Sequence, residues 1–179
     1  YPASSIDFFI RKGNEDIFLD NPNVNNLFVW DKKSNKYQNL ISLIKTLRQK
    51  KYDYVFNLQR FYSSALVTIL SNANTKVGFN KTLFQLFYDK RINHTIKNNI
   101  HEIERNNKQI EFITDNKPEK PKIYISNKTI ESIKYLLTEP YFCIAPASVW
   151  FTKQFPYQRW IELINLQQKH KYYLIGSKN

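Results

Sequence analysis

Short apolar runs alternate along this chain with stretches in which apolar residues recur every three or four positions. Ile6 to Ile10, Leu27 to Trp30 and Tyr52 to Leu58 are runs of strand length. Phe18 to Val24, interrupted by Pro22, reads as a turn region. Leu40, Ile41, Ile44 and Leu47 share one face with Lys and Arg on the other, which predicts an amphipathic helix over about residues 35–50. The pattern then repeats: a helix from Ser63 to Leu70, a short strand from Lys76 to Phe79 and a long polar helix from Ile100 to Ile113. Lys117-Pro118-Glu119-Lys120-Pro121 cannot continue a helix and reads as a linker. Beyond it follow an extended stretch (Lys122 to Ile125), a helix (Thr129 to Leu137), a strand (Tyr141 to Ala145), a helix (Tyr157 to Gln168) and a strand (Tyr172 to Ile175). Strands apolar on both faces, alternating with amphipathic helices, predict an α/β fold with a parallel sheet. The expected organisation is one domain over residues 1–117, a linker region over 118–126 and the beginning of a second domain over 127–179.

Composition narrows the class. With 179 residues and 42% hydrophobic content, the chain suffices for one domain or one and a fraction. No run approaches the roughly 20 apolar residues of a membrane span, and Tyr1 to Asp7 has neither the basic flank nor the apolar stretch of a signal peptide. The single cysteine, Cys143, lies in an apolar run and reads as a small buried strand residue. These features point to a soluble, cytoplasmic protein. The net charge of +12 invites nucleic acid, but lysine outnumbers arginine and Asn, Ile, Tyr and Phe abound, as A/T-rich codon usage would produce. An anionic membrane surface or a phosphorylated glycolipid suits the charge equally well. The chain has no methionine and stops just after the apolar run before Gly176, so both ends are expected to be cut.

In an open parallel sheet, ligands bind beyond the carboxyl ends of the strands. Three segments stand there. The run Tyr141 to Ala145 is followed by Pro146-Ala147-Ser148, by Thr152-Lys153, and by a helix with Pro156 near its start. Small residues, hydroxyls, a lysine and a helix N-terminus together suit an anion such as phosphate, although Walker-loop spacing is absent; an ordinary polar loop is the alternative. Asn57-Leu58-Gln59-Arg60 ends a second strand, where Gln59 and Arg60 suit hydroxyls and a carboxylate; the plainer reading is a polar strand end with Ser63 capping the next helix. His101 and Arg105, four apart, share a helix face and either meet an anionic ligand or leave Arg105 paired with Glu102 or Glu104. No His/Cys/Asp/Glu cluster has metal-ligand spacing.

These segments resemble glycosyltransferase family 9, the ADP-heptose:lipopolysaccharide heptosyltransferases. The string Pro-x-Ser-x-Trp-x-x-Lys-x-Phe-Pro, from Pro146 to Pro156, is similar to the loop opening the family's second domain, with Ala147 for its usual glycine and Phe155 for its usual tryptophan. Tyr52 to Gln59 with Ser64-Ala65-Leu66, Val77-Gly78-Phe79-Asn80, His101-x-Ile103-x-Arg105-Asn106 and Gly176 resemble further landmarks in the same order.

The resemblance implies the GT-B architecture of two Rossmann-like domains, and inverting sugar transfer that needs neither metal nor cofactor. It implies a nucleotide-sugar donor, ADP-heptose, and an anionic, lipid-linked lipopolysaccharide-core acceptor met at the inner face of the inner membrane. Ser148, Thr152 and Lys153 then hold the donor phosphates, and Gln59, Arg60, Ser63, His101 and Arg105 the acceptor. The family's catalytic aspartate and its second-domain Asp-(Ser/Thr)-Gly-x-x-His motif are expected upstream of Tyr1 and beyond Asn179, leaving these 179 residues inactive alone. The rivals are a GT-B relative with another sugar donor and a basic nucleic-acid-binding α/β module, which would interleave exposed aromatics with Lys and Arg.

Overall fold

A computed structural model describes residues 3–96 and 100–176. The chain forms two compact units, Tyr1–Tyr124 and Ile125–Asn179.

In the first unit, β1 (Asp7–Arg11) and β2 (Asn26–Trp30) pair in parallel, Asp7 opposite Asn26 and Arg11 opposite Trp30. Helix α1 (Lys36–Lys50) returns the chain, burying Leu40, Ile44 and Leu47 at the spacing its sequence shows. These three residues, with Trp30 and Val67, form a core against which Phe9, Phe28, Leu43, Tyr52 and Leu70 pack. Trp30 is 2% exposed, and its Nε1 donates to the carbonyl of Lys36 at 2.9 Å, so the ring is buried without leaving its polar atom unpaired. Lys51 ends the helix in the left-handed region (φ 52°). Arg48 reaches from its last turn to the Leu70 carbonyl.

A second parallel ladder, in the order β3-β4-β5, is built from β3 (Tyr54–Asn57), β4 (Thr75–Phe79) and β5 (Lys90–Ile92). Helix α2 (Tyr62–Leu70) joins β3 to β4 and buries Ala65, Val67 and Thr68. Val77, Gly78 and Phe79 of the middle strand are all buried. The Tyr88 ring packs against Gly78, where a side chain would meet it at 2.4 Å. Tyr52, just before β3, donates from its hydroxyl to Asp7 of β1 at 2.7 Å. Burial pushes the Asp7 carboxyl up, but this bond, those from Asn26 and Asn25, and the charge of Lys50 outweigh it and leave its pKa lowered.

The expected long helix over 100–113 is instead α3 (Glu102–Asn107) followed by a 3-10 turn at Glu111–Ile113. Between them the backbone tightens to bonds three residues apart, Gln109 N–H to the Asn106 carbonyl and Ile110 N–H to that of Asn107, and Gln109 is fully buried there with its Nε2 donating to the Asn57 carbonyl at 3.0 Å. The structure also holds β5, whose charged, exposed Lys90 and Arg91 give no apolar signal.

In the second unit, β6 (Tyr141–Ile144) and β7 (Lys171–Leu174) pair in parallel, with α4 (Asn127–Ile133) before them and α5 (Tyr157–Leu166) between them. Ser126 caps α4 by accepting from Thr129 N–H. Ile144 is buried, whereas Cys143 is exposed with the rest of β6, contrary to the buried placement its apolar neighbours suggest. A two-stranded ladder covers little of its own faces, so apolar neighbours in sequence do not bury this thiol.

Candidate functional site

The carboxyl ends of β3, β4 and β5 gather in the first unit, and each strand is followed or ended by an asparagine. Asn57 is 5% exposed and fully engaged. Its Nδ2 donates to the Tyr88 hydroxyl at 2.9 Å, its Oδ1 accepts from Gln59 N–H at 2.9 Å, and its carbonyl accepts from Gln109. That bonding shapes the turn on which Gln59 and Arg60 project into solvent. Asn80 and Asn93 bond each other at 3.3 Å, and Asn80 Oδ1 accepts from His94 N–H at 3.1 Å. The ends of β4 and β5 are thereby locked side by side.

His94, which no motif singled out, is buried beside these strand ends. It is 4% exposed, its ring meets Phe79 edge-on with centroids 4.8 Å apart, and its Nδ1 has no partner among the described residues. Burial, then the charges of Arg60, Arg105 and Lys81, hold its pKa below the ordinary histidine value. Cations from three different segments thus oppose a positive charge on this imidazole. Thr82 Oγ1, Arg105 Nε, Asn106 Oδ1 and Gln109 Oε1 are likewise buried without a partner among the described residues.

The other expected acceptor residues sit differently. Ser63 is half-buried in the first turn of α2 and does not cap it; Phe61 holds the N-cap position. His101 is not on a face of α3 with Arg105 but is its N-cap, its Nδ1 accepting from Ile103 N–H at 3.2 Å. Arg105 pairs with Glu102, yet its side chain is only 13% exposed, so this is no ordinary surface pair. The charges of Arg60 and Arg105 both act on His94, while the His101 ring is engaged by its own helix. The signal that could have found His94 is the recurrence of asparagine at three successive strand ends.

In the second unit, the chain leaves Ile144 through Ala145-Pro146-Ala147 to Ser148. Ser148 organises the loop: its Oγ accepts from Trp150 N–H at 3.2 Å, and its carbonyl accepts from Gln154 Nε2 at 2.6 Å. The hydroxyl keeps its own proton to donate. A 3-10 turn, Phe151–Lys153, closes on Trp150 O, and Pro156 stands at the N-cap of α5. Thr152 and Lys153 are exposed, and Lys153 forms no ion pair among the described residues. A free ammonium beside a helix N-terminus and a hydroxyl donor is chemistry suited to a phosphate.

Among the described residues, no group of three or more His, Cys, Asp or Glu could hold a metal ion. Nor is any helix among the described residues long and apolar enough to cross a membrane.

The profile of glycosyltransferase family 9 (heptosyltransferase) matches residues 40–179, covering most of both units. Lipopolysaccharide heptosyltransferase 3 of Escherichia coli is 36% identical over 82 residues, which is 44% of this chain and 24% of that protein. The solved glycosyl transferase family 9 protein of Veillonella parvula DSM 2008 superposes on 99% of this chain with a TM-score of 0.79 at 22% identity. E. coli heptosyltransferase WaaC with ADP does so with a TM-score of 0.72 at 20% identity, and E. coli ADP-heptose lps heptosyltransferase II with 0.78 at 18%. The chain covers 55%, 60% and 57% of these three structures, a little over half of each. Their likeness establishes the GT-B fold with its parallel α/β units. With the profile spanning well over half of its length, this chain belongs to glycosyltransferase family 9, the heptosyltransferase family.

Proposed function

We propose that the protein transfers a heptose, or a closely related sugar, from ADP-heptose to an anionic, lipid-linked lipopolysaccharide-core acceptor, with inversion at the anomeric carbon. The first unit takes the acceptor, the second the donor phosphates, and the residues around 118–126 join them. The acceptor hydroxyl attacks the anomeric carbon as the bond to the nucleotide diphosphate breaks, and negative charge grows on the leaving phosphate. Lys153 and the Ser148 hydroxyl, with Thr152 beside them, meet that charge. At the strand ends, Arg60 and Arg105 bind the acceptor's anionic groups, with Gln59, Ser63 and His101 around them. The enzyme works in the cytoplasm at the inner face of the inner membrane.

The observation that carries this reading is the Ala145–Pro156 loop. It lies within the segment matched to the family, and it leaves a lysine without an ion pair among the described residues, and a serine hydroxyl, at the entry to α5. The test is Lys153→Ala in the full-length enzyme, assayed with ADP-heptose and a panel of other nucleotide sugars. Loss of one transition-state donor is expected to lower kcat by about 10²- to 10³-fold, with circular dichroism unchanged because the side chain is exposed. Unaltered turnover would remove Lys153 from the mechanism, and faster transfer from another nucleotide sugar would replace the heptose donor.

A further inference from the structure

The segment between β4 and β5 carries large apolar side chains outward. Leu83 and Leu86 are 77% and 78% exposed, and Phe87 is 64% exposed, around a 3-10 turn at Gln85–Phe87. Phe61 and Tyr62, at the start of α2, are also exposed. Phe84 ties the two segments together, its ring centroid 5.1 Å from Tyr62 and 6.2 Å from Phe87. The result is one outward-facing apolar lobe, beside the strand ends that carry Arg60 and Lys81. Folded proteins seldom leave such a contiguous surface without a partner.

Charge identifies the partner. From Tyr54 to Tyr88 the sequence contains no Asp or Glu, while Arg60 and Lys81 at the edge of the lobe are exposed. A second copy docking here would bring like charges together with no carboxylate to offset them. Single-stranded nucleic acid would satisfy the cations and stack on the aromatic rings, but it would leave Leu83 and Leu86, the most exposed side chains of the lobe, without an apolar partner. An anionic bilayer satisfies both features, since leucine and aromatic side chains enter the acyl boundary while Arg and Lys stay among the headgroups. We propose that the lobe formed by Phe61, Tyr62, Leu83, Leu86 and Phe87, flanked by Arg60 and Lys81, docks the protein on an anionic phospholipid surface. Resting on the reading that the acceptor is lipid-linked and bound at the neighbouring strand ends, this places the acceptor site against the membrane that presents the acceptor.

Flotation of the full-length protein with vesicles tests the proposal independently of catalysis. Binding is expected to phosphatidylglycerol vesicles and not to phosphatidylcholine vesicles, and it should weaken as salt rises. Leu83→Ser/Leu86→Ser, at exposed positions, should reduce vesicle affinity by roughly tenfold or more and Lys81→Glu by at least about fivefold. The Leu variant should keep the wild-type urea midpoint and wild-type turnover on a delipidated acceptor. Equal flotation of wild type and the Leu variant, equal binding to both vesicle types, or no binding to either overturns the proposal. So does a dimer in sedimentation that the Leu variant dissolves, which would assign the lobe to a second copy. Vesicle binding that persists where no sugar transfer can be detected would leave the lobe standing and sink the acceptor reading instead.

Discussion

Replacing Gly78 by alanine tests how tightly the strand ends are packed. Gly78 sits in the middle strand of the three-stranded ladder, and its backbone is not in the left-handed region that favours glycine. On conformational grounds alone, Ala would stabilise the protein by about 0.4–1 kcal/mol through the unfolded state. Packing reverses the sign. A Cβ at this position would stand 2.4 Å from Tyr88 Cε2, 2.9 Å from Cδ2 and 3.0 Å from Cζ, where carbon atoms prefer about 3.5–4.0 Å. The ring cannot simply swing aside, because it is 4% exposed and its hydroxyl accepts from Asn57. Overpacking a site of this kind costs about 1–3 kcal/mol, and losing the Asn57–Tyr88 bond adds about 1 kcal/mol.

The net expectation for Gly78→Ala is therefore a destabilisation of about 2 kcal/mol. In urea, followed by tryptophan fluorescence, that corresponds to a midpoint lower by about 1 M. A double-mutant cycle locates the cause: with Tyr88→Leu already present, Gly78→Ala should cost little or nothing. A midpoint equal to or above wild type, or a penalty that persists in the Tyr88→Leu background, would refute the packing argument.

Two further outcomes follow from the same unit. His94 has a lowered pKa in the folded protein, so its neutral form contributes stability that is fully present above the unfolded value near 6.5 and is lost as pH falls toward the folded one. The drop in urea midpoint between neutral and mildly acidic buffer should shrink in His94→Gln; an identical drop would exclude His94 as its source. Tyr52→Phe removes the bond that ties β3's approach to Asp7 of β1, at a cost of about 1 kcal/mol at neutral pH. Because the Asp7 pKa is lowered, this penalty should fade as acid protonates the carboxyl, and a pH-independent penalty would show that the bond is not the cause.

What could be read from the sequence was what apolar periodicity reports. Leu40, Ile44 and Leu47 announce α1 because they face the Trp30 core, and the Ala145–Pro156 loop is visible because strand, small residues, hydroxyls, lysine and proline occur in one contiguous string. The features that escaped are built from polar residues in buried places. Gln109, where the expected long helix gives way to a tighter turn, points inward to the Asn57 carbonyl, and a pattern that scores glutamine as solvent-facing predicts the opposite. Strand β5 is held by pairing of Lys90, Arg91 and Ile92 with Val77, Gly78 and Phe79, so its existence depends on a neighbour rather than on its own composition. His94 had no local partner because its surroundings come from three segments separated in sequence: Phe79 with Lys81, Arg60, and Arg105.

That distribution of polar groups separates the parts of the first unit by purpose. Around Trp30 the core is apolar, and its one buried indole N–H is satisfied, as expected where packing alone is required. At the carboxyl ends of β3 to β5 the opposite holds. Thr82 Oγ1, His94 Nδ1, Arg105 Nε, Asn106 Oδ1 and Gln109 Oε1 have no protein partner among the described residues, and each such group costs about 1–3 kcal/mol unless water or a ligand completes it. A fold selected only for stability would replace several of them with apolar side chains. Water or a bound ligand would complete such groups, which accords with the proposal that the acceptor binds at these strand ends.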